Sequence, residues 1–380
     1  MPEAVIVSAQ RTPVAVAKKG MLRDTSVYDL ADHIVSAAAS GLDPAAVDDV
    51  ILGEGLHGGG VIARHAAITA GLTSVPGLAL NRHCAAGLAA VERAAAGIRA
   101  GMDELVIAGG VNSASTAPKS KLAQGEDWID PWLPPTHPDR PDAPNADMTI
   151  TLAWNTAVKM GVTREEMDAW ALRSHRNAVR AVDEGRFDAE IVPIKTQHGL
   201  FQADENPRRD TSMEKLAALK PVHPEIEGFS ITAGNSSGAN DGAAALVVAS
   251  DRLGLPVLGT VRAWASVGVD PAETGLAPVK AIPKVLARCG LSVSDVDLFE
   301  INEAFAVVPV VAVKVLDLDP DRVNVYGSGC SLGHPVAATG ARMLTTLVHE
   351  LRRRGGGIAV AAMCAGGGMG SAMVVEVPAP

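Results

Sequence analysis

The sequence has few aromatic residues and no long apolar run, and both absences limit what the protein can be. Phe, Trp and Tyr make up only 3% of the 380 residues, so the core is expected to consist mainly of Ala, Val, Ile and Leu. The longest apolar stretch, Ala304–Val315, is interrupted by Pro309 and Lys314. The first residues also lack the basic and then apolar pattern of a signal peptide. The sequence therefore predicts no membrane span, and a cytoplasmic location is expected.

Cysteines and positive charges are also scarce. The four cysteines, at positions 84, 289, 330 and 364, are too widely spaced for a disulfide framework or a zinc motif, so no metal site is predicted. Cys289 is interpreted as a packing residue. A formal net charge of −10 argues against a nucleic-acid-binding face and against an anionic lipid surface.

The composition, with 47% hydrophobic and 20% charged residues, is that of a globular protein, and 380 residues suit two domains or two halves of one domain. Val27–Ala39 has helical spacing, and Gly41 is its expected stop. Val50–Gly53 predicts a buried strand, whereas the short run Val5–Val7 predicts a strand at a sheet edge. Strands alternate with helices along most of the chain, and Val323–Tyr326 is one of the further strands predicted. This pattern predicts an α/β fold with a sheet covered on both faces.

The segment 116–228 differs from the rest and is interpreted as an inserted domain. Six prolines between positions 131 and 144 exclude a helix or a central strand there. Two helices are predicted to follow, Thr149–Met160 and Thr163–Glu184, and the second begins with capping-box spacing. The insertion also contains a basic cluster, Arg208, Arg209, Lys215 and Lys220.

An internal repeat relates the two ends of the chain. A pattern that begins at Gly41-Leu42 recurs from Gly290-Leu291, at a constant offset of 249 residues. In each copy a strand leads through a loop into a small-residue helix, and the loops contain Cys84 and His334 respectively. The repeat predicts a duplicated α/β unit. The predicted domains are an N-terminal half at 1–115, completed by about 229–255, the insertion at 116–228 and a C-terminal half at 256–380.

Cys84 lies in the segment Asn81–Gly87, where a predicted strand ends and a helix begins. Free backbone N–H groups at the start of a helix stabilise an anion, so the thiol is expected to ionise more easily than a free thiol, whose pKa is ~8.5. The small residues Ala85–Gly87 are expected to leave room around the sulfur. Cys84 is therefore a candidate nucleophile. The alternative is a buried packing cysteine.

Two polar residues near the C-terminus are further candidates. His334 lies between Gly333, which gives the loop freedom, and Pro335, which suits the first turn of a helix. It is a candidate general base or oxyanion donor, although a lone histidine is more often structural. Asn302 closes a predicted strand and can hold a water or donate to an oxyanion. Its neighbour Glu303 either orients a side chain or satisfies backbone groups.

Cys364 is the second candidate thiol, because it lies between a predicted strand and the glycine run Gly366–Gly368. Glycines let the backbone approach a ligand and point N–H groups towards it. The alternative interpretation is a tight connection between two strands.

Taken together and in this order, the segments resemble the motifs of the thiolase family over nearly the whole chain. Asn81–Gly87 is similar to its nucleophile segment, and Thr232–Gly242 is similar to its coenzyme A loop signature. The other matching segments are Val5–Pro13, Glu300–Ala306, Gly333-His334-Pro335 and Cys364–Gly368.

The resemblance implies an αβαβα fold, with two similar halves and an inserted loop domain, in an enzyme that acts on acyl-CoA thioesters. It implies that Cys84 accepts the acyl group, that His334 activates this thiol, and that Cys364 moves a proton at the substrate. Asn302 would hold a water beside His334 in one oxyanion hole. The backbone N–H groups of Cys84 and Gly366 would form the other.

The resemblance also implies the partners. Arg208 and Ser237 match positions that contact coenzyme A, which would be a substrate rather than a tightly bound cofactor. The basic cluster suits its phosphates. A homodimer is expected, with a tetramer as the alternative, and the expected role is in lipid metabolism.

Three departures leave the acyl-chain preference and the oligomeric state open. Where many members have Asn-Gly-Gly-Ala, this chain has Tyr326–Cys330, and where biosynthetic members have His-Met-Gly, it has Asp147-Met148-Thr149. The insertion is also shortened and rich in proline. The direction of the reaction in the cell is not predicted.

Two other functions share parts of this pattern. A decarboxylating condensing enzyme of the ketoacyl-synthase type generally lacks a second thiol in a glycine run, so Cys364 argues against it. A non-catalytic acyl-CoA or lipid carrier on the same fold would be expected to lose a catalytic residue. None of the four side chains is lost.

Overall fold

The computed structural model describes residues 1–55, 57 and 60–379. Its strands are β1 Ala4–Arg11, β2 Ala15–Val16, β3 Asp49–Gly53, β4 Gly77–Leu80, β5 Leu105–Ser113, β6 Ser120–Gln124, β7 Asp127–Trp132, β8 Ile194–Thr196, β9 Gly199–Phe201, β10 Asn240–Ser250, β11 Gly259–Gly268, β12 Leu298–Ile301, β13 Gly357–Ala365 and β14 Met369–Val377. Its α-helices are α1 Val27–Ala39, α2 Ile62–Thr69, α3 Ala86–Arg99, α4 Asn155–Met160, α5 Arg164–Asp183, α6 Met213–Ala217, α7 Ala277–Arg288, α8 Val307–Leu316, α9 Gly329–Leu332 and α10 Thr339–Arg354. No helix among these residues is long and apolar enough to cross a membrane.

Ten strands of the described chain form one sheet with a symmetric order. The order is β12-β13-β14-β11-β1-β10-β5-β3-β4, and β2 pairs with β10. From the centre outwards, β1, β10, β5 and β3 on one side correspond to β11, β14, β13 and β12 on the other. Within the two halves, β5 pairs with β3 and β13 pairs with β12 in parallel. The neighbouring strands nearer the centre of the sheet pair antiparallel. The halves meet where Val5 pairs with Thr260 and Ile6 with Gly259.

Hydrogen bonds at the start of β3 and β12 show the same duplication. The Asp48 N–H donates to the Leu105 carbonyl at 2.8 Å, and the Asp48 carboxylate accepts from the Leu105 N–H at 3.0 Å. Asp297 makes the same two bonds with Ile358, at 2.9 Å and 2.8 Å. The repeat found in the sequence therefore corresponds to two structurally equivalent strand starts.

Apolar side chains divide the molecule into layers. Helices α3 and α10 pack in the middle, in one apolar cluster with residues from both halves of the sheet. Helices α1 and α2 cover the outer face of the N-terminal half, and α7 and α8 cover that of the C-terminal half. Along β10, Ala244 and Leu246 face the middle helices whereas Ala243 and Ala245 face α1, as the alternation of a strand requires. The predicted α/β fold, covered on both faces, is confirmed.

The strand predicted at Val5–Val7 is confirmed but its position at a sheet edge is wrong, and the strand predicted at Val323–Tyr326 is also wrong. The run Val5–Val7 belongs to β1, which lies in the centre of the sheet because it pairs with β10 and with β11. The predicted strand Val323–Tyr326 is not continuous, since within it only Val323 bridges to a strand residue, Phe299. Both errors concern pairing with segments far along the chain, which local composition does not specify.

The region 116–228 contains the two predicted helices in modified form. A π-helical turn, Thr149–Trp154, runs into α4, and α5 begins at the predicted capping box. The Thr163 hydroxyl accepts from the Glu166 N–H at 3.2 Å, and the Glu166 carboxylate accepts from the Thr163 N–H at 2.8 Å. The proline-rich part contributes β7, which pairs only with β6 in an exposed ribbon. Proline is tolerated there because no central ladder is interrupted.

Candidate active site

Cys84 is held in a tight turn between β4 and α3. The Asn81 side chain fixes this turn, because its Oδ1 accepts from the His83 N–H at 2.7 Å and its Nδ2 donates to the Gly55 carbonyl at 2.9 Å. His83 adopts a φ of 46°, which is uncommon for a residue with a side chain. The turn places the Cys84 sulfur directly before the helix, as predicted.

Backbone N–H groups reach the Cys84 sulfur, but its thiol does not ionise easily. Burial of the thiol raises its pKa to about 11, and hydrogen bonds from the N–H groups of Gly366 and of Cys84 itself oppose this only in part. The expectation of easier ionisation is therefore wrong, because desolvation outweighs the helix start. The thiol is protonated at neutral pH and needs a base to become a nucleophile.

Gly87, the last of the small residues after Cys84, packs closely against another segment. A Cβ on Gly87 would lie 2.7 Å from the Ala337 carbonyl oxygen and 3.1 Å from the Ala341 nitrogen. Gly87 therefore allows α3 to pack closely against the start of α10. This contact joins the loop of Cys84 to the loop of His334.

His334 is a neutral imidazole with a defined tautomer. Burial and then the charge of Arg342 lower its pKa to about 3. Its Nδ1 lies 2.7 Å from the Thr339 hydroxyl, which donates its own hydrogen to the Pro335 carbonyl at 3.0 Å. Thr339 must therefore accept from an Nδ1–H, which leaves Nε2 with a free lone pair. This nitrogen has the state that a general base requires.

The loop around His334 is fixed from the other side by Asn240. The Asn240 Oδ1 accepts from the His334 N–H at 2.9 Å, and a Cβ on Gly333 would lie 2.7 Å from the Asn240 side chain. Gly333 has a φ of 96°. Glycine is needed here both for the backbone conformation and for the close approach. Helix α10 begins only at Thr339, so Pro335 precedes it rather than lying in its first turn.

Asn302 lies at the carboxyl end of β12, beside His334. Its N–H donates to the Ala362 carbonyl at 2.9 Å, which places it next to the end of β13. Its Nδ2 is 3.4 Å from both ring nitrogens of His334. Its Oδ1 is buried and accepts no hydrogen bond from the described residues. A small polar group is the partner that such an atom requires.

Glu303 orients neighbouring side chains, which was one of its two predicted roles. Its carboxylate accepts from Trp170 Nε1 at 2.8 Å, Ser174 Oγ at 2.6 Å and Asn324 Nδ2 at 2.8 Å. It also accepts from the Cys330 N–H at 3.2 Å. Glu303 thereby connects α5 of the insertion with the loop that leads to His334.

Cys364 lies near the end of β13 and is fully buried. Burial, followed by the charge of Cys84, raises the pKa of its thiol well above the ordinary value. The two sulfurs are therefore close enough to influence each other, and the charge on one disfavours ionisation of the other. The next turn uses Gly367 and Gly368 at φ values of 86° and 75°.

The two residues predicted to contact coenzyme A lie in different places. The Ser237 N–H donates to the Ala304 carbonyl at 2.9 Å, which keeps Ser237 near Asn302. Arg208 lies beside helix α5, because its N–H donates to His175 Nδ1 of that helix at 3.2 Å. It lines a cavity of about 440 Å³ along α5, and none of the four candidate catalytic side chains contributes to this cavity.

Several residues that shape the site were missed in the sequence. Asn240 belongs to a motif that was interpreted only as part of the coenzyme A loop, and Thr339 had no distinguishing pattern. Thr136 comes from the proline-rich segment, and its Cγ2 lies 3.3 Å from the position of a Cβ on Gly366. No local signal in the sequence indicates this long-range contact.

The chain was compared with known families, proteins and structures. The family descriptions "Thiolase, N-terminal domain" and "Thiolase, C-terminal domain" match residues 4–252 and 255–377. A probable acetyl-CoA acetyltransferase of Escherichia coli is 41% identical, with 99% of each chain covered. A 3-ketoacyl-CoA thiolase of Bacillus subtilis is 38% identical, with 99% of this chain and 100% of the relative covered.

Solved structures agree with these matches. The acetyl-CoA acetyltransferase of Bacillus anthracis superposes with a TM-score of 0.90 at 38% identity, covering 99% of both chains. Human mitochondrial 3-ketoacyl-CoA thiolase in complex with CoA superposes with a TM-score of 0.90 at 35% identity, covering 99% of this chain and 98% of that one. The resemblance stated from the motifs is thus confirmed along the whole length. The chain belongs to the thiolase family.

Proposed function

We propose that the protein is an acyl-CoA C-acyltransferase that forms or cleaves 3-ketoacyl-CoA thioesters through an acyl-cysteine intermediate. Its relatives include proteins named acetyl-CoA acetyltransferase and 3-ketoacyl-CoA thiolase. The observation that carries the proposal is the meeting of two thiols at one glycine turn. Cys364 lies two residues before Gly366, whose N–H is near enough to the Cys84 sulfur to lower the pKa of that thiol, while the Cys84 charge raises the pKa of the Cys364 thiol.

In the first half-reaction, Cys84 takes the acyl group. His334 Nε2 removes the thiol proton as the sulfur attacks the thioester carbonyl carbon. The N–H groups of Cys84 and Gly366 stabilise the oxyanion, and one such donor is typically worth roughly 3–4 kcal/mol. The bond between the carbonyl carbon and the coenzyme A sulfur then breaks. The leaving sulfur receives the proton of Cys364, which remains as a thiolate.

In the second half-reaction, a second acyl-CoA is joined to the acyl group. The Cys364 thiolate removes a proton from the α-carbon, and Asn302 with its neighbour His334 stabilises the enolate oxygen. The carbanion attacks the acyl carbon, a C–C bond forms, and the C–S bond to Cys84 breaks. The proton held on His334 returns to the Cys84 sulfur. Cleavage by coenzyme A is the reverse sequence.

Coenzyme A is held by the insertion, which we assign to residues 116–228, and by the loop that follows it. Arg208 and Ser237 are the proposed contacts. Arg208 shares its cavity with other guanidinium groups, namely those of Arg176, Arg180 and Arg209. Asp183 and Glu184 also line the cavity, and Asp183 pairs with Arg209 at 2.5 Å, whereas no carboxylate of the described residues lies within 4.0 Å of Arg176 or Arg208. Unpaired guanidinium groups in a cavity are suited to phosphate.

We also propose that the protein acts in the cytoplasm as a homodimer, with a tetramer as the alternative, in lipid metabolism. The edge strand β4 supports an interface between copies, because it exposes backbone groups and the side chain of Leu78, which is 38% exposed. Sedimentation measurements distinguish a dimer from a tetramer and from a monomer.

Acyl trapping tests the proposed function. Wild-type protein incubated with radiolabelled acetyl-CoA is expected to retain label, Cys84→Ala is expected to retain none, and Cys364→Ser is expected to retain label but lose condensation. Label on Cys84→Ala equal to that on wild type would contradict the nucleophile. A Cys364→Ser variant that condenses at the wild-type rate would contradict the division of roles.

A further inference from the structure

A buried ion pair lies beneath Asn302 and His334. The guanidinium group of Arg342, on α10, pairs with the carboxylate of Glu300, on β12, and the two residues are 1% and 3% exposed. Replacing such a pair with apolar side chains of similar volume is often neutral or stabilising, so stability alone does not account for it. The Arg342 Nε is also buried and donates to no acceptor among the described residues, which adds to the cost of burial.

Glu300 connects this pair to Asn302. Leu298, two residues before Glu300 on β12, belongs to the apolar cluster of the middle helices. Side chains of a strand alternate between its two faces, so Glu300 faces the same layer, and so does Asn302, whose N–H continues the pairing with β13. The Ser328 hydroxyl donates to Glu300 at 3.0 Å, and the position of a Cβ on the next residue, Gly329, is only 2.9 Å from the Asn302 Oδ1.

Arg342 connects the pair to His334. It lies one turn after Thr339 on α10, and the Thr339 hydroxyl lies 2.7 Å from Nδ1 of the His334 ring. The Arg342 Nη2 donates to Ser328 at 3.2 Å, so a strand residue and a loop residue both hold the guanidinium group. Its charge reaches the ring, because burial and then this charge lower the pKa of His334 to about 3. The pair therefore joins the two sides of the proposed oxyanion hole.

We propose that Arg342 is a positioning residue for the second half-reaction, in which it acts through His334 to strengthen the oxyanion hole. The inference rests on the proposed function. After acylation the His334 ring holds the proton of Cys84, and its Nε2–H donates to the enolate oxygen. A like charge nearby disfavours the protonated ring, which makes it a stronger hydrogen-bond donor. Glu300 and Ser328 fix the place from which this charge acts.

The same charge has the opposite effect on the first half-reaction. There His334 is the general base, and a neighbouring cation makes it a weaker one. Removal of the charge is therefore expected to slow condensation while it leaves the acylation of Cys84 unchanged or accelerates it. A residue that served only the fold would, when replaced, slow both half-reactions together.

The experiment measures the two half-reactions separately by rapid mixing. The double variant Arg342→Met/Glu300→Gln removes both charges and keeps an acceptor for the Ser328 hydroxyl. Release of coenzyme A from acetyl-CoA reports acylation, and conversion of preformed acetyl-enzyme into acetoacetyl-CoA reports condensation. The ratio of the condensation rate constant to the acylation rate constant is expected to fall about tenfold, which is less than the loss of a whole oxyanion donor.

A matched control makes the same substitutions in a second pair on α10. Glu350 is buried and pairs with Arg353, and Arg353→Met/Glu350→Gln is expected to leave the ratio unchanged. An unchanged ratio in Arg342→Met/Glu300→Gln, or an equal fall in the control, would overturn the inference and leave the proposed function intact.

A conservative variant keeps the test decisive if the double variant does not fold. Arg342→Lys retains the positive charge, so it is expected to keep the wild-type ratio of the two rate constants. A tenfold fall in this ratio for Arg342→Lys would overturn the role of the charge. A wild-type protein that forms no acetyl-enzyme would instead refute the proposed function.

Discussion

At the scale of single residues, the protonation states of Cys84 and His334 determine which proton transfer the acylation of Cys84 requires. The buried imidazole is neutral and the buried thiol is protonated, so the resting site has no preformed thiolate–imidazolium pair. Proton transfer must accompany acylation. The sequence identified both side chains but predicted the wrong state for the thiol. Burial depends on how α3 and α10 pack, and no local motif reports this.

The reactivity of Cys84 is expected to increase with pH over an unusually wide range. Its pKa is raised to about 11, so the thiolate fraction keeps rising with each pH unit from 7 to 10. The rate constant for alkylation by iodoacetamide should therefore rise about tenfold per unit without a plateau. Cys84→Ala provides the background, because Cys289 is also partly exposed. A plateau near pH 8.5 would contradict the raised pKa.

Thr339 is expected to be a positioning residue for His334. Thr339→Val removes the acceptor for Nδ1–H and releases the tautomer, so kcat should fall about tenfold to a hundredfold with little change in KM. Thr345→Val is the matched control, because Thr345 is also buried on α10 and donates to a carbonyl four residues earlier. Steady-state kinetics of both variants decide the point. Equal losses in the two variants would assign Thr339 a structural role only.

At the scale of helices and strands, close contact between α3 and α10 joins the two candidate loops. Gly87→Ala would place a methyl group 2.7 Å from the Ala337 carbonyl oxygen, so the free energy of unfolding should fall by about 1–3 kcal/mol. Urea denaturation measures this change. Arg93→Ala, at a partly exposed position of α3, serves as control. Unchanged stability in Gly87→Ala would show that the two helices can separate without cost.

Local signals in the sequence predicted element boundaries well. The helix Val27–Ala39 and the capping box of α5 were both found as predicted, because caps and periodicity are properties of neighbouring residues. The repeat also located the equivalent strands β3 and β12. The position of β1 could not be predicted, since its partners β10 and β11 lie more than two hundred residues away along the chain.

At the scale of the whole molecule, the proposed coenzyme A contact Arg208 lies in a basic cavity that is separate from the candidate catalytic side chains. The chain carries a net charge of −10, yet four guanidinium groups line the cavity beside α5. The sequence indicated Arg208 and Arg209 as part of a basic cluster. It did not indicate Arg176 and Arg180, which the helical turn of α5 brings to the same cavity.

Arg208→Ala is expected to raise the KM for coenzyme A about tenfold and to lower kcat much less. The lost contact would be made equally in the ground state and the transition state, so it affects binding rather than the chemical step. Arg262→Ala is the control, because this exposed arginine of β11 pairs with Glu376 of β14 and does not line the cavity of Arg208. An unchanged KM would remove Arg208 from the proposed coenzyme A site.

The two halves of the sheet meet where β1 pairs with β11, and this has a consequence for the assembly of the active site during synthesis of the chain. The proposed nucleophile belongs to the first half and the proton-moving thiol to the second, so neither half holds a complete set of reactive groups. A ribosome that has translated the first 350 residues has therefore produced a chain that holds Cys84 and His334 but lacks Cys364 and the N–H of Gly366. The proposed cycle of acylation and condensation is complete only when β13 and β14 join the sheet.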